Sequence, residues 1–198
     1  MQDRDITVAM DSNTGNLRIV PASLVLLGLL CTLGAQTADS DKKVRQLRVE
    51  NYPDLPSNVA AVLQSRRCTI PQPNQDGPAR NVIRGEFFNK GQKGWAVLCS
   101  SGGKSSILVF RNNNDRSPDQ IAESTDNRFI IDTWQGGKVY SREISAVNRK
   151  FILRHYRAYG GPKAPPIDHN GIDDAFLEKA SITWYWHNSK WVPLQGAD

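Results

Sequence analysis

Trp95-Ala96-Val97-Leu98-Cys99-Ser100-Ser101-Gly102-Gly103-Lys104-Ser105-Ser106-Ile107-Leu108-Val109-Phe110 is the stretch that decides the fold. Its period is two. Trp95, Val97 and Cys99 share one face of a strand, and Ala96 and Leu98 share the other. The Ser100–Gly103 run supplies a turn, and Ile107–Phe110 returns as a second strand, which makes a hairpin.

The same grammar recurs downstream. Arg128–Trp134, the Gln135-Gly136-Gly137-Lys138 turn and Val139–Ile144 predict another hairpin. Phe151–Tyr159 alternates Phe151, Leu153 and His155 with Ile152, Arg154 and Tyr156, and reads as a long strand. Ser181–His187 and Trp191–Leu194 form a last pair across His187–Lys190, and Pro193 assigns the final strand to a sheet edge. Helical signals are few. Ser57 caps a helix whose Val59, Val62 and Leu63 fall on one face, and which should stop near Arg66-Arg67. A second short helix is expected over Ala175–Lys179, with Asp173 and Asp174 at its N-terminus. Thr69–Ala79 is a loop. The fold class is mainly β or α+β: a small antiparallel hairpin domain over residues 51–198, with one or two short helices and one disulfide.

The N-terminal third reads differently. Arg18 precedes an uncharged run, Ile19–Leu33, and Ala35 offers a small residue for cleavage. Basic residue, short apolar segment and small-residue site are the order of a secretory signal over residues 1–35. A start at Met10 gives a tidier signal, because Asp3 and Asp5 offset Arg4. The run is too short for the ~20 residues of a spanning helix, so no stable membrane span is expected after cleavage. Leu30 stands before Cys31 where a lipobox has a small residue. Residues 36–50 are polar and read as a flexible leader. Cleavage removes Cys31 and leaves Cys68 and Cys99, a pair suited to a disulfide in an oxidising compartment, periplasmic or secreted.

After residue 35 the chain holds 23 basic and 17 acidic side chains. Basic residues never exceed two in a row, and acids lie between them. That pattern reads as a solvated surface and excludes a nucleic-acid site built on a basic run.

Gly85-Glu86-Phe87-Phe88-Asn89-Lys90-Gly91-Gln92-Lys93-Gly94-Trp95-Ala96-Val97-Leu98 resembles the FG-GAP (VCBS-type) repeat of integrin-α-like β-propellers. The chain is also similar in general character to exported bacterial proteins that carry one degenerate motif of this kind. The resemblance implies an extracellular setting, calcium in the loop, and adhesion or ligand binding. The residues oppose the calcium: Phe88, Lys90 and Gly94 stand where the family places oxygen ligands, and Glu86 alone is acidic. Calcium takes six to eight oxygens, so no cofactor is expected there. No second copy appears at a propeller-like spacing.

Two segments are candidates for chemistry or binding. Asp168-His169-Asn170-Gly171-Ile172-Asp173-Asp174, with Glu178, is a turn signal first. Read sharply, Asp168, Asn170, Asp174 and Glu178 are calcium ligands, or His169 is a general base of a small hydrolase. Trp184, Tyr185, Trp186 and Trp191 could stack on a sugar or anchor a protein. No catalytic residues are assigned: there is no zinc spacing among the histidines and no Gly-x-Ser-x-Gly elbow. The leading expectation is a non-catalytic exported domain that binds a protein or glycan of the cell envelope.

Overall fold

The computed structural model describes residues 43–134, 136–160 and 163–195. The signal-peptide expectation, with Arg18, the 19–33 run, Cys31 and the cleavage site, falls outside that range. In chain order the elements are β1 (Gln46–Leu47), α1 (Ser57–Ser65), β2 (Ile70–Pro71), β3 (Val82–Gly85), β4 (Gly94–Ser101), β5 (Lys104–Phe110) and β6 (Asp119–Thr125). They continue with β7 (Ile130–Asp132), β8 (Lys138–Tyr140), β9 (Arg142–Val147), α2 (Arg149–Tyr159), β10 (Gly171–Phe176), β11 (Ala180–His187) and β12 (Lys190–Gln195). Residues 49–51 and 126–129 are 3-10 turns.

All strand pairing is antiparallel. One sheet runs β3-β4-β5-β6, a second runs β12-β11-β10-β9, and β1-β2 and β7-β8 are small ribbons. The β4–β5 hairpin pairs Trp95 with Phe110 and Ser101 with Lys104, as its alternation predicts. Both faces of these strands are buried. Val97, Cys99, Leu108 and Phe110 meet Val59 and Leu63 of α1, and the disulfide joins Cys68 to Cys99 with Cα atoms 5.1 Å apart. Ala96, Leu98, Ile107 and Val109 face the second sheet through Phe87, Phe88, Ile144 and Ile172. On the far side of that sheet, Val147, Ile152 and Tyr185 pack with Phe151 of α2. The order of layers is therefore α1, sheet, sheet, α2. Each fully buried Leu, Val or Phe contributes roughly 1.5–3 kcal/mol, so the layer under α1 and the inter-sheet layer both carry a large share of the stability.

A buried Asn fastens the two sheets. Asn81 has φ 68°, a left-handed conformation that Asn tolerates well. Its Nδ2 donates to Pro71 O at 2.7 Å and its Oδ1 accepts from Ile144 N at 2.9 Å, while its carbonyl accepts from Leu98 N. The turn at residues 188–189 has both φ positive, the geometry that lets a two-residue hairpin follow the strand twist. Register from that turn makes Trp184 and Pro193 a non-hydrogen-bonded pair, so the missing amide of Pro193 faces outward. Pro193 thus sits on an edge strand without breaking the ladder, as expected.

Several expectations are corrected. Ser57 is the first residue of α1 and makes no side-chain cap bond. Val139–Ile144 is not one strand: it divides between β8, paired with β7, and β9 of the second sheet. Ile70–Pro71, inside the expected Thr69–Ala79 loop, pairs as β2. Arg149–Tyr159 is a helix and not a strand. Asp173 and Asp174 belong to strand β10, and the Ala175–Lys179 helix does not form. The chain past Phe176 makes a tight turn instead, with Glu178 at φ 62°. Residues 44–50, read as leader, join the fold: Gln46–Leu47 pair with Ile70–Pro71 and Val49 is buried.

Gly85–Leu98 spans the end of β3, a connecting loop and β4. Gly94 has no room for a Cβ, which would overlap the Phe110 carbonyl, and Gly91 has φ +82°. Both glycines are explained by backbone approach and turn geometry.

Candidate functional site

Trp184, Trp186 and Trp191 lie in the inter-sheet layer and Tyr185 on the opposite face, 1% exposed. Trp186 meets Phe88 and Trp191 edge-on at 5.1 and 5.5 Å. The Arg111 guanidinium covers Phe88 at 3.9 Å and Trp186 at 4.9 Å. Asp119 accepts from both Arg111 Nη2 and Trp191 Nε1. The space where a ligand ring would stack on Phe88 and Trp186 holds this chain's own arginine.

The Asp168–Glu178 segment is dispersed by its strand geometry. Neighbours on a strand point to opposite faces. Asp174 turns inward to Arg142, its Oδ1 2.7 Å from Nε. Asp173 turns toward α2, and burial pushes its carboxyl above the usual range, offset in part by Ser181 and His155. Asp168 is largely exposed, and Glu178 sits in the turn beyond β10. His169 stacks on Tyr185 with centroids 4.3 Å apart. Its ring nitrogens lie 3.0 and 3.1 Å from the carbonyls of Asn170 and Trp186, so both face backbone oxygens. Asn170 is tied to Glu86 N and Val147 O. A recess of about 380 Å³ is present beside Asp168, His169 and Asn170. Among the described residues, no group of three or more His, Cys, Asp or Glu is placed to hold a metal.

The most distinctive surface is one that sequence reading missed. α2 begins at Asn148, whose side chain accepts from Phe151 N at 3.0 Å, a standard N-cap bond, and it ends at Gly160 with φ 74°. Phe151, His155 and Tyr159 stack at four-residue spacing, 3.9 and 6.0 Å between centroids. Phe151, Ile152 and Leu153 pack on the sheet, and Tyr159 is exposed. At ~100° per residue, Arg149, Lys150, Arg154 and Arg157 all fall within an arc of about 140°, with Leu153 between Arg149 and Arg157. All four are exposed, and α2 contains no carboxylate. Arg149 and Lys150 also occupy the first turn, where cations oppose the helix dipole by about 0.3–1 kcal/mol each. Arg149 offsets part of that cost by donating from Nη1 to the Ile167 carbonyl at 3.3 Å, which ties the helix start to the segment before β10. The signals that would have found this face are Asn148, Gly160 and the four-residue spacing of Phe151, His155 and Tyr159.

Beside α2 runs a groove of about 540 Å³. Tyr156 closes it on the helix side, the Lys163–Pro166 segment on another, and β12 on the third. Period two places Lys190, Val192 and Leu194 on the same face of β12, and the turn adds His187. Among the described residues, no carboxylate lines the groove.

Two stacked antiparallel sheets, each roofed by one helix, with a cationic helix outside the second: that is the class of protein the geometry defines. No family model, no curated protein and no solved structure matches the chain.

Proposed function

We propose that this chain is an exported, extracytoplasmic domain that works by binding, and that its partner is an anionic glycan of the cell envelope. The signal-like N-terminus and the Cys68–Cys99 bond support an oxidising location. Among the described residues, no helix is long and apolar enough to cross a membrane. The observation that carries the choice of partner is the α2 face: four exposed cations on one arc, no acid among them. A convex cationic strip suits a repeating polyanion, whose charges it meets several at a time.

Retention on heparin, used as an anionic-glycan probe, tests the reading. The chain should bind at low salt, elute as salt screens the contact, and ignore neutral dextran. Lys150→Glu/Arg154→Glu should elute at clearly lower salt with an unchanged melting temperature. Equal elution of variant and wild type would overturn the assignment of the partner to α2.

A small hydrolase or metal protein built on Asp168–Glu178 is the second reading. It has the recess near Asp168 in its favour, and against it that both ring nitrogens of His169, the base it names, face backbone carbonyls.

A further inference from the structure

We propose that the groove between α2, Lys163–Pro166 and β12 binds one molecule of a single-chain anionic amphiphile: a fatty carboxylate, its head at Lys190 and its chain along Val192 and Leu194. This goes beyond the α2 reading and uses other residues.

The argument starts from the order of side chains along β12. A strand rises about 3.4 Å per residue, so Lys190, Val192 and Leu194 form a row about 14 Å long: one cation, then two aliphatic groups. Pro165 and Pro166 wall the same space, and Lys163 adds a second cation. Lys163 and Lys190 are both exposed, whereas Val192 and Leu194 are half-buried against Tyr185 and Ile152. Along β12 the lining therefore runs from an exposed cation to half-buried aliphatic groups, the complement of an amphiphile with an acidic head. Its volume lies within the roughly 300–1,000 Å³ of small-molecule sites.

Charge fixes the sign of the head. With Lys163 and Lys190 and, among the described residues, no carboxylate in the lining, an anion is favoured and a cation repelled. The edge strand argues against a peptide as occupant. Strand addition on β12 needs outward amides at alternate residues, and at Pro193 there is none.

The experiment titrates dodecanoate, below its micelle concentration, into the chain as isolated, followed by calorimetry and by the methyl resonances of Val192 and Leu194. One equivalent should bind and shift those methyls. Octanoate should bind more weakly, and dodecyltrimethylammonium, with the same chain and the opposite head, should bind at least tenfold more weakly. Lys163→Glu/Lys190→Glu, both at exposed positions, should weaken dodecanoate at least tenfold and leave the melting temperature unchanged. Lys150→Glu/Arg154→Glu should leave dodecanoate affinity within twofold, whatever that variant does on heparin. No binding, shifts confined to other methyls, or equal affinity for the cationic amphiphile overturns the proposal. So does capture of an acidic peptide with no response to dodecanoate. Failure of the wild-type chain to be retained on heparin would count against the α2 reading and leave the groove standing.

Discussion

Replacing Arg142 should destabilise this fold more than any other single loss of charge. The residue is 1% exposed in the inter-sheet layer. Its Nε and Nη2 bind the two carboxylate oxygens of Asp174 at 2.7 and 2.8 Å, Nη1 donates to Ser105 Oγ at 3.1 Å, and Nη2 also reaches Ala122 O at 2.8 Å. Ala122 has φ 55° beside a register shift between Ser105 and Ile107, and this irregularity brings its carbonyl to the guanidinium. Arg142→Met keeps the stem and deletes the charge. Asp174, mostly buried, is then left with Trp184 Nε1 at 3.3 Å. Breaking one side of a buried pair costs about 3–5 kcal/mol. At roughly 2–4 °C per kcal/mol for a domain of this size, the melting temperature should fall by about 6–20 °C. Arg142→Met/Asp174→Leu should recover most of that, because replacing both partners by apolar groups is often near neutral. Urea unfolding of the wild type, both single variants and the double variant measures the coupling directly. A loss below about 1 kcal/mol for Arg142→Met, or a double variant no better than the single, would refute the reasoning.

Three further outcomes are expected. Cys68→Ala/Cys99→Ala should lower stability by about 3–4 kcal/mol in denaturant melts, from the loop closed by a separation of 31 residues; an unchanged midpoint would remove the disulfide from the account of stability. Asp173→Asn should help more at neutral than at acid pH: burial raises the folded-state carboxyl above its unfolded value, so the native state binds more protons and loses stability as pH rises through that range. Stability curves of the two proteins that stay parallel across the aspartate range would contradict this. N-terminal sequencing of the exported protein should begin near Gln36, or near Asp39 if the cut follows Ala38, whereas a full-length cytoplasmic product would contradict export.

The hairpins were legible because their alternation and turn residues agree. Gly102-Gly103 and Asn188-Ser189 turn where the apolar runs demand, and Pro193 marks its edge by chemistry alone. The disulfide was legible because Cys68 and Cys99 are the only cysteines after residue 35. Other elements were misread where a short pattern suits two periods. Phe151–Tyr159 has apolar or aromatic side chains at both two- and four-residue spacing, and tertiary contact with the outer face of the second sheet decides for helix. Asp173-Asp174 look like acids at a helix start, yet pairing with Ser145 and Ile144 on one side and Thr183 and Ile182 on the other extends them. Neither ladder partner is a sequence neighbour, so local pattern carries no trace of the choice.

The misread helix is also why the cationic surface was invisible. On a strand, Arg149 and Arg157 would share one face while Lys150 and Arg154 took the other, and no cluster would exist. On a helix the same four residues converge, although the sequence never has more than two basic residues together. Judging a polyanion site by runs along the chain therefore fails for an isolated amphipathic helix, where clustering is angular. The inward half of α2 is used up in burying Ile152 and Phe151 on the sheet, so its basic half cannot lie in a bilayer in the manner of a free amphipathic peptide. Under the proposed reading a partner meets it from outside, along a helix whose C-terminal turn borders the groove through Tyr156. A partner bearing both a run of anionic groups and an acyl chain would engage helix and groove together, with the second contact made at high effective concentration. Affinity for such a molecule should then exceed that for heparin or dodecanoate alone, and should fall to the level of one probe when either pair of cations is reversed.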